Sequence, residues 1–396
     1  MKRILLVAEL VLIAFFSASC QKAKQIEPVK SETNYDRPLP PGQLALRKIT
    51  NPADIPDFTF ACYDLVNLKS AIDKSLNFLK KPSSSRFYPY GDITRDHAIA
   101  SLESFKELLS TGLFGERLNQ AIREKFDVYI SVGCDDRGTV LFTGYYTPIF
   151  DGSMTQTERF KYPLYKMPQD LVKGQNGEIL GRKTGGGTQP YPTREEIENS
   201  NMLAGTELIW LGDPFEVYIA HVQGSAKIRL PDGSLTGVGY TASNGQEYKS
   251  VSKAMLEQGK MGGQKLSLAA MIEYFKQHPE EVKDYTRMNP RFVFFQIEKG
   301  EPRGSLNEEV TPYRSIATDK TIFPPACLTY LATVLPVDRG GVISDKPYTG
   351  FALDQDTGGA IRAPGRCDVY MGQGDKAGSL AGRTYQEGKL YYLFLK

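Results

Sequence analysis

The chain of 396 residues holds one tryptophan, three histidines and five cysteines, and its 48 Lys and Arg stand against 46 Asp and Glu. A net charge of +2 gives no global field that would draw nucleic acid or an anionic surface, so neither is expected as a partner on electrostatic grounds. His97, His221 and His278 are too far apart in sequence to make a helical metal pair, which excludes a His-based metal site at this level. No cysteine pair has CxxC spacing, and Cys62, Cys134, Cys327 and Cys367 are left open between disulfides and buried thiols. Walker A, G-x-S-x-G and H-E-x-x-H patterns are all missing. Lys183-Thr184-Gly185 and Ser250-x-x-Lys253 mimic penicillin-binding signatures, but in the reverse of the order that fold requires. The glycines of Gly372-x-Gly374 and Gly378 have the wrong spacing for a dinucleotide loop and come too late to start a βαβ unit. No metal or organic cofactor is expected.

Several signals are present. Lys2 and Arg3 precede an apolar run from Ile4 to Phe16, broken by Glu9, and then Ser17-Ala18-Ser19-Cys20. That is the layout of a signal peptide over 1–19, too short to stay in a bilayer, with Cys20 placed as in a bacterial lipobox. Residues 20–43 carry Pro28, Pro38, Pro40 and Pro41 among polar residues and read as a flexible tether. Apolar residues at three-to-four spacing predict helices over Leu65 to Lys81 and Thr94 to Leu109. Strands are predicted over Asp127 to Val132 and Thr139 to Tyr146. From Thr147 to Arg291 the texture changes. Gly- and Pro-rich loops run near 174–192, and a capping box stands at Thr193-x-x-Glu196. Strands are expected at Glu216 to Val222 and Lys227 to Leu230, and helices near Lys249 to Gln258 and Ser267 to Gln277. Strand-like runs resume after Asn289-Pro290, at Phe292 to Ile297, Leu328 to Leu335, Phe351 to Leu353 and Lys389 to Leu395. The layout is one domain from 44–147 and 292–396, interrupted by an inserted domain at 148–291.

Chemistry concentrates near the carboxyl end. Asp354, Asp356, Asp368 and Asp375 fall within 22 residues, in segments otherwise largely apolar or glycine. Extended backbone would put Asp354 and Asp356 on one face, and Gly358-Gly359 would admit a second strand or a ligand at close range. Aspartates beside glycines are more often turn formers, so these residues alone leave the question open.

The run Ala352-Leu353-Asp354-Gln355-Asp356-Thr357-Gly358-Gly359-Ala360-Ile361, followed by Asp368 and Gly372-x-Gly374, resembles the three-aspartate domain of the membrane-bound lytic murein transglycosylase A family. Phe142-Thr143-Gly144-Tyr145-Tyr146-Thr147-Pro148, Tyr162-Pro163-Leu164-Tyr165, Val222-Gln223-Gly224-Ser225, Tyr240-x4-Gly245-x2-Tyr248-x-Ser250, Asn289-Pro290-x-Phe292 and Ser315-Ile316-Ala317-x-Asp319 resemble it too, in its order. The likeness spans roughly two thirds of the chain, with Ala363 replacing a glycine usual in the pattern.

The resemblance implies a mainly β fold: a double-psi β-barrel with flanking helices, an inserted β-rich domain, and a groove between them. It implies cleavage of the β-1,4 bond between N-acetylmuramic acid and N-acetylglucosamine without water, leaving 1,6-anhydromuropeptides. Asp368 is the expected acid and base, with Asp356 assisting. Burial and the charge of Asp356 are expected to keep Asp368 protonated. Thr143, Tyr145, Tyr146, Gln223, Gly224, Ser225, Tyr240, Asn244, Tyr248, Gly358, Gly359 and Ala360 are the expected substrate contacts. The expected partners are peptidoglycan glycan strands and outer-membrane lipid, the latter through acylated Cys20. The expected form is a monomer facing the periplasm, with a non-catalytic peptidoglycan-binding lipoprotein as the alternative.

Overall fold

In a computed structural model of the chain the residues described are 33–175, 177–260 and 268–396. Cys20 and the leader lie outside them. Six strands close on themselves: β1 (Val140–Thr147), β2 (Ser315–Ala317), β3 (Leu328–Arg339), β4 (Val342–Asp356), β5 (Arg366–Gln373) and β6 (Tyr385–Leu395). Around the barrel the order is β6-β3-β4-β2-β5-β1, and β1 pairs back onto β6. The pairs β1–β5 and β2–β4 are parallel, and the other four are antiparallel. Closure removes the exposed edges that an open sheet would leave. Phe126–Ser131 extends the sheet from β6, and Leu46–Lys48 pairs with it.

The helices Leu68–Leu79 and Arg95–Ser110 stand within a few residues of their predicted spans. Leu68, Ala71, Ile72, Leu76 and Leu79 form the buried stripe of the first, packed in one core with Phe105, Tyr330, Phe351 and Tyr392. Thr94 starts the second by accepting the amide of His97 at 3.1 Å. A third helix, Gly115–Lys125, was not expected from the sequence. The stretch 34–43 is no free tether. The Tyr35 hydroxyl donates to Glu387 at 2.7 Å, Asp36 pairs with Arg366 at 3.2 Å and Arg37 with Asp136 at 2.9 Å.

A second sheet has six strands in the order Val293–Glu298, Leu235–Ser243, Ser225–Arg229, Ile149–Ser153, Glu207–Leu211, Tyr162–Tyr165, drawn mainly from the segment expected as an insert. Val293–Glu298, expected in the barrel domain, belongs to this sheet: it runs antiparallel to Leu235–Ser243. The loops expected near 174–192 include a three-stranded meander, Leu171–Lys173, Ile179–Thr184 and Gly187–Gln189. The strand expected at Glu216 to Val222 is instead part of a helix, Pro214–Gln223. Asp213 caps it by accepting the amide of Phe215 at 2.6 Å, Pro214 supplies a preset first turn, and Phe215, Tyr218 and Ile219 form its buried face. The capping box forms as predicted on Arg194–Glu198.

Asp354 and Asp356 do not share surroundings. The pairing of β2 with β4 steps from Ile316↔Asp354 to Ala317↔Asp356, so Gln355 is an extra residue and the bulge re-aims the side chain that follows. Asp354 is fully buried, accepts from the Thr318 hydroxyl at 2.8 Å and the Tyr392 hydroxyl at 2.8 Å, and is ion-paired with Lys320. It is a structural carboxylate. Cys62, Cys134, Cys327 and Cys367 are all free and buried, which settles the open choice in favour of thiols. Burial pushes the Cys62 and Cys327 thiols up to about 12.

Removing one member of a buried ion pair leaves the other uncompensated, at a cost of about 3–5 kcal/mol. Lys320→Met should destabilise the protein by that order in urea unfolding. An unchanged midpoint would show that Asp354 is carried by its hydroxyl partners alone. Native protein should also resist a thiol reagent at Cys62, Cys134, Cys327 and Cys367, and react at all four once unfolded.

Candidate active site

The parallel register of β1 and β5 sets Thr143 beside Asp368 and Tyr145 beside Tyr370. Gly144 between them is required by packing, because a Cβ there would come within 2.8 Å of the Ala381 backbone in the helix Gly374–Arg383. The Thr143 hydroxyl donates to Asp368 Oδ1 in a short hydrogen bond. Residues 143 and 145 share a strand face, so the Tyr145 side chain stands on the same side as Thr143. Its ring lies 5.1 Å from that of Tyr370, and its hydroxyl is buried without a hydrogen bond of normal geometry. The charges of Asp356 and Asp368 both act on that hydroxyl. Asp356, at the end of β4, accepts the amides of Ser305 and Thr357 through Oδ1, each at 2.8 Å. Gly304 allows that approach, since a Cβ there would stand 3.0 Å from the Asp356 carboxyl carbon.

Burial holds the Asp368 carboxyl above the ordinary carboxylate range, against the pull of the Arg366 charge and the Thr143 hydroxyl. The like charge of Asp356, expected to help, is not among the causes. Asp356 is also pushed up by burial, and its two amide donors, Tyr145 and Lys320 oppose this. Tyr145 is driven well above the usual phenol range, first by burial and then by the Asp356 charge, so it stays a neutral donor. The arrangement is a half-buried carboxylic acid able to give and retake one proton, with a second carboxylate fixed nearby by backbone amides. Among the described residues, one trio could hold a metal ion, His278, Glu280 and Glu281, and it shares no residue with this site.

Residues 141–296 match the family model of the MltA specific insert domain, and 314–394 match that of the 3D domain. Membrane-bound lytic murein transglycosylase A of Escherichia coli (strain K12) is 31% identical over 270 residues, covering 67% of this chain and 69% of that protein. The chain belongs to the membrane-bound lytic murein transglycosylase A family. Its Vibrio cholerae member is 30% identical over 268 residues. The crystal structure of E. coli MltA with bound chitohexaose superposes with a TM-score of 0.64 at 26% identity, over 93% of this chain and 98% of that one. A membrane-bound lytic murein transglycosylase from Agrobacterium tumefaciens shares the fold, with a TM-score of 0.73 at 24% identity over 89% and 98% of the two chains.

The residues singled out by the MltA resemblance separate into two groups. Thr143, Tyr145, Asp356 and Asp368 are brought together. Tyr248 joins them from the insert: its Cβ lies 3.3 Å from where a Cβ on Gly359 would stand, and its hydroxyl feels the charges of Arg366 and Asp368. Gly358 and Gly359 are half-buried and Ala360 is exposed on the same turn. Tyr240 is 46% exposed and bonded to Arg291, free to offer a ring face.

The others hold the scaffold. Tyr146 points away from Asp368 into the barrel core, against Gly378. Asn244 is buried, donates to the carbonyls of Pro192 at 2.8 Å and Pro290 at 2.9 Å, and accepts the amide of Phe292 at 2.8 Å, which leaves no atom for a sugar. Gln223 accepts the Tyr146 amide at 3.3 Å, and the Ser225 hydroxyl lies 3.4 Å from that of Thr147. Gly224, at φ 74°, ends the helix between them. These three residues tie the insert to β1.

Sequence reasoning missed Ser305, Arg366, Arg291 and Arg362. No spacing marks an amide donor, and lone arginines are ordinary surface residues. Ala363, where the MltA pattern has glycine, adopts φ 66°, a conformation that favours glycine, and its amide donates to Asp319 at 3.2 Å.

Both the Thr143 hydroxyl and Arg366 favour ionised Asp368, so losing either must raise its pKa further. In Thr143→Val and in Arg366→Gln the Asp368 carboxyl, followed by carbon NMR, should titrate at higher pH than in the wild type. A titration that moves down, or not at all, would separate these groups from Asp368 in solution.

Proposed function

We propose that this chain is a lytic murein transglycosylase that cleaves the β-1,4 bond between N-acetylmuramic acid and N-acetylglucosamine and leaves a 1,6-anhydromuramoyl end. The observation that carries the reading is Asp368: half-buried, held by Thr143, with its carboxyl pushed above the ordinary carboxylate range by burial. Ordinary glycosidases need two carboxyl groups because one must attack the sugar or activate water. Here the nucleophile is the substrate's own C6 hydroxyl, and holding it against C1 makes the step intramolecular. Asp368 gives its proton to the leaving glycosidic oxygen as the C1–O bond breaks. The O6–C1 bond then forms, and Asp368 retakes the O6 proton, so the acid is restored without water. Asp356 neighbours Tyr145 and is fixed by two amides that favour its ionised form against burial, and it is the group assigned to face the positive character that develops at C1.

The glycan strand lies in a groove between barrel and insert, with Tyr240 as a stacking face. Support comes from Tyr240 and Tyr248, both contributed by the insert, and from the chitohexaose bound to E. coli MltA. The barrel is read as double-psi, in line with its two parallel pairs among antiparallel ones. The division into signal peptide, a tether that ends before Asn34, barrel domain and insert accompanies this reading, as does action as a monomer. Cys20 is the lipid attachment point and the outer membrane the anchor, with the enzyme facing the periplasm. No helix among the described residues is long and apolar enough to cross a membrane, which fits an anchor of this kind.

Mass spectrometry of digested sacculi tests the chemistry. Anhydro ends are expected; reducing ends would mean a water-using muramidase, and no cleavage would mean a binding protein. Asp368→Asn should lower the rate by about 10²- to 10⁴-fold, and Asp356→Asn by less. Because the folded-state pKa of Asp368 is raised, its ionisation costs stability as pH rises through that value. Asp368→Asn should therefore melt at a higher temperature than the wild type at neutral to alkaline pH, and the gap should close in acid. A lower melting temperature throughout would make Asp368 a structural carboxylate. Cys20→Ala should abolish acyl labelling and release the protein from the envelope.

A further inference from the structure

Beside the Gly358-Gly359 turn two guanidinium groups stand within reach of each other and lack a strong anionic partner. Arg291 is fixed at its backbone: its amide donates to Asn289 Oδ1 at 3.2 Å, and its carbonyl accepts from Arg194 at 2.7 Å. Its half-buried side chain reaches the turn, where Nε and Cδ lie 3.5 and 3.7 Å from the position of a Cβ on Gly359. Nη1 donates to the Gln246 carbonyl at 3.3 Å, and the Tyr240 hydroxyl accepts from the same side chain. Among the described residues no carboxylate comes within ion-pair distance of it. Arg362, on the same turn, is 56% exposed at its side chain, and its closest carboxylate is Asp319 at 4.0 Å. Asp319 is already committed to the Thr321 amide and hydroxyl and to the Ala363 amide. Arg291 and Arg362 repel each other, and that repulsion adds to burial in weakening the protonated state of Arg291.

Like charges set together in a partly buried place cost free energy that an incoming anion returns. Tyr240 connects the pair to the stacking face, and Tyr248 connects the same turn to Asp368. An anion received here would thus be carried by a sugar held near the reacting bond. Of the two sugars in the glycan, muramic acid alone bears an acidic substituent, its peptide stem.

We propose that Arg291 and Arg362 form a carboxylate-binding subsite that takes an acidic group of the peptide stem on a muramoyl residue. The subsite rests on the transglycosylase reading for its substrate and makes the enzyme prefer stem-bearing strands over bare glycan. Arg362 can fork onto a carboxylate with two parallel donors, and Lys there would keep the charge but lose the fork.

The test compares two probes, intact glycan strands carrying stems and the same strands stripped of stems by an amidase, with the lactyl carboxylates that this frees then converted to neutral amides. The ratio of kcat/KM on the first to that on the second should fall roughly tenfold in Arg362→Gln, the scale of one charge-assisted hydrogen bond. The change should appear in KM rather than kcat, with Arg362→Lys between the two. Arg291→Lys, which keeps a charge in the half-buried position, should lower the ratio as well. An unchanged ratio, or equal losses on both probes, would overturn the subsite and leave the arginines as braces of the turn. Binding of the same probes to Asp368→Asn protein separates this from the underlying reading. If the wild type releases no anhydro ends yet stem preference in binding is lost with Arg362→Gln, the subsite stands and the enzymatic reading fails.

Discussion

The pairing of β1 with both β5 and β6 is the interaction on which everything else rests. One strand from the first half of the chain sits between two strands drawn from its last 31 residues, and this closes the barrel. The same pairing sets Thr143 opposite Asp368, so barrel closure and the placement of these two side chains together are one event. The insert leaves from the end of β1 and is tied back to it through Gln223 and Ser225, which fixes where its strands begin relative to the aspartate. A shift of β1 by one residue would turn Thr143 and Tyr145 inward and place Gly144 at the site.

Proximity in sequence misleads about the aspartates. Asp354 and Asp356 are separated by one residue, yet the bulge at Gln355 sends the first into a buried ion pair and the second to a half-buried place one strand away from Asp368, with Ala317 opposite both Asp356 and Asp368. Burial pushes both Asp354 and Asp368 up, but Asp354 is opposed by Lys320, Thr318 and Tyr392 together, whereas Asp368 is opposed only by the Arg366 charge and the Thr143 hydroxyl. One segment thus supplies both an anchor for the core and a carboxyl of the candidate site, and the difference lies in who donates to each.

Much of this was legible in the sequence, for identifiable reasons. Helices Leu68–Leu79 and Arg95–Ser110 announced themselves because one face of each is buried. The helix Pro214–Gln223 was misread because an apolar run gives no period, although Asp213-Pro214 carried the start signal. Val293–Glu298 was assigned to the wrong sheet, since a strand's pattern says that it is paired and not with what. Of the candidate site, Thr143, Asp356 and Asp368 were named from the family pattern, and the structure brings them near one another. Asn244 and Tyr146 could be named too, but a polar or aromatic residue in a motif serves the scaffold as readily as the substrate, and only their hydrogen bonds and burial decide. Ser305 acts through its amide and is invisible to any reading of side chains.

The four buried thiols bear on how such a chain matures. None of them is joined, so no covalent bond waits on an oxidant and the fold is complete as soon as its strands are paired. In the oxidising compartment to which the proposed export leads, the same thiols are a hazard until that moment, because an unfolded chain exposes all four to disulfide-forming catalysts. Burial is then what protects them. Cys367 is the extreme case: it precedes Asp368 on β5, so a wrong bridge there would displace that carboxyl from Thr143. Strand pairing, rather than any cross-link, guards β5 during biogenesis.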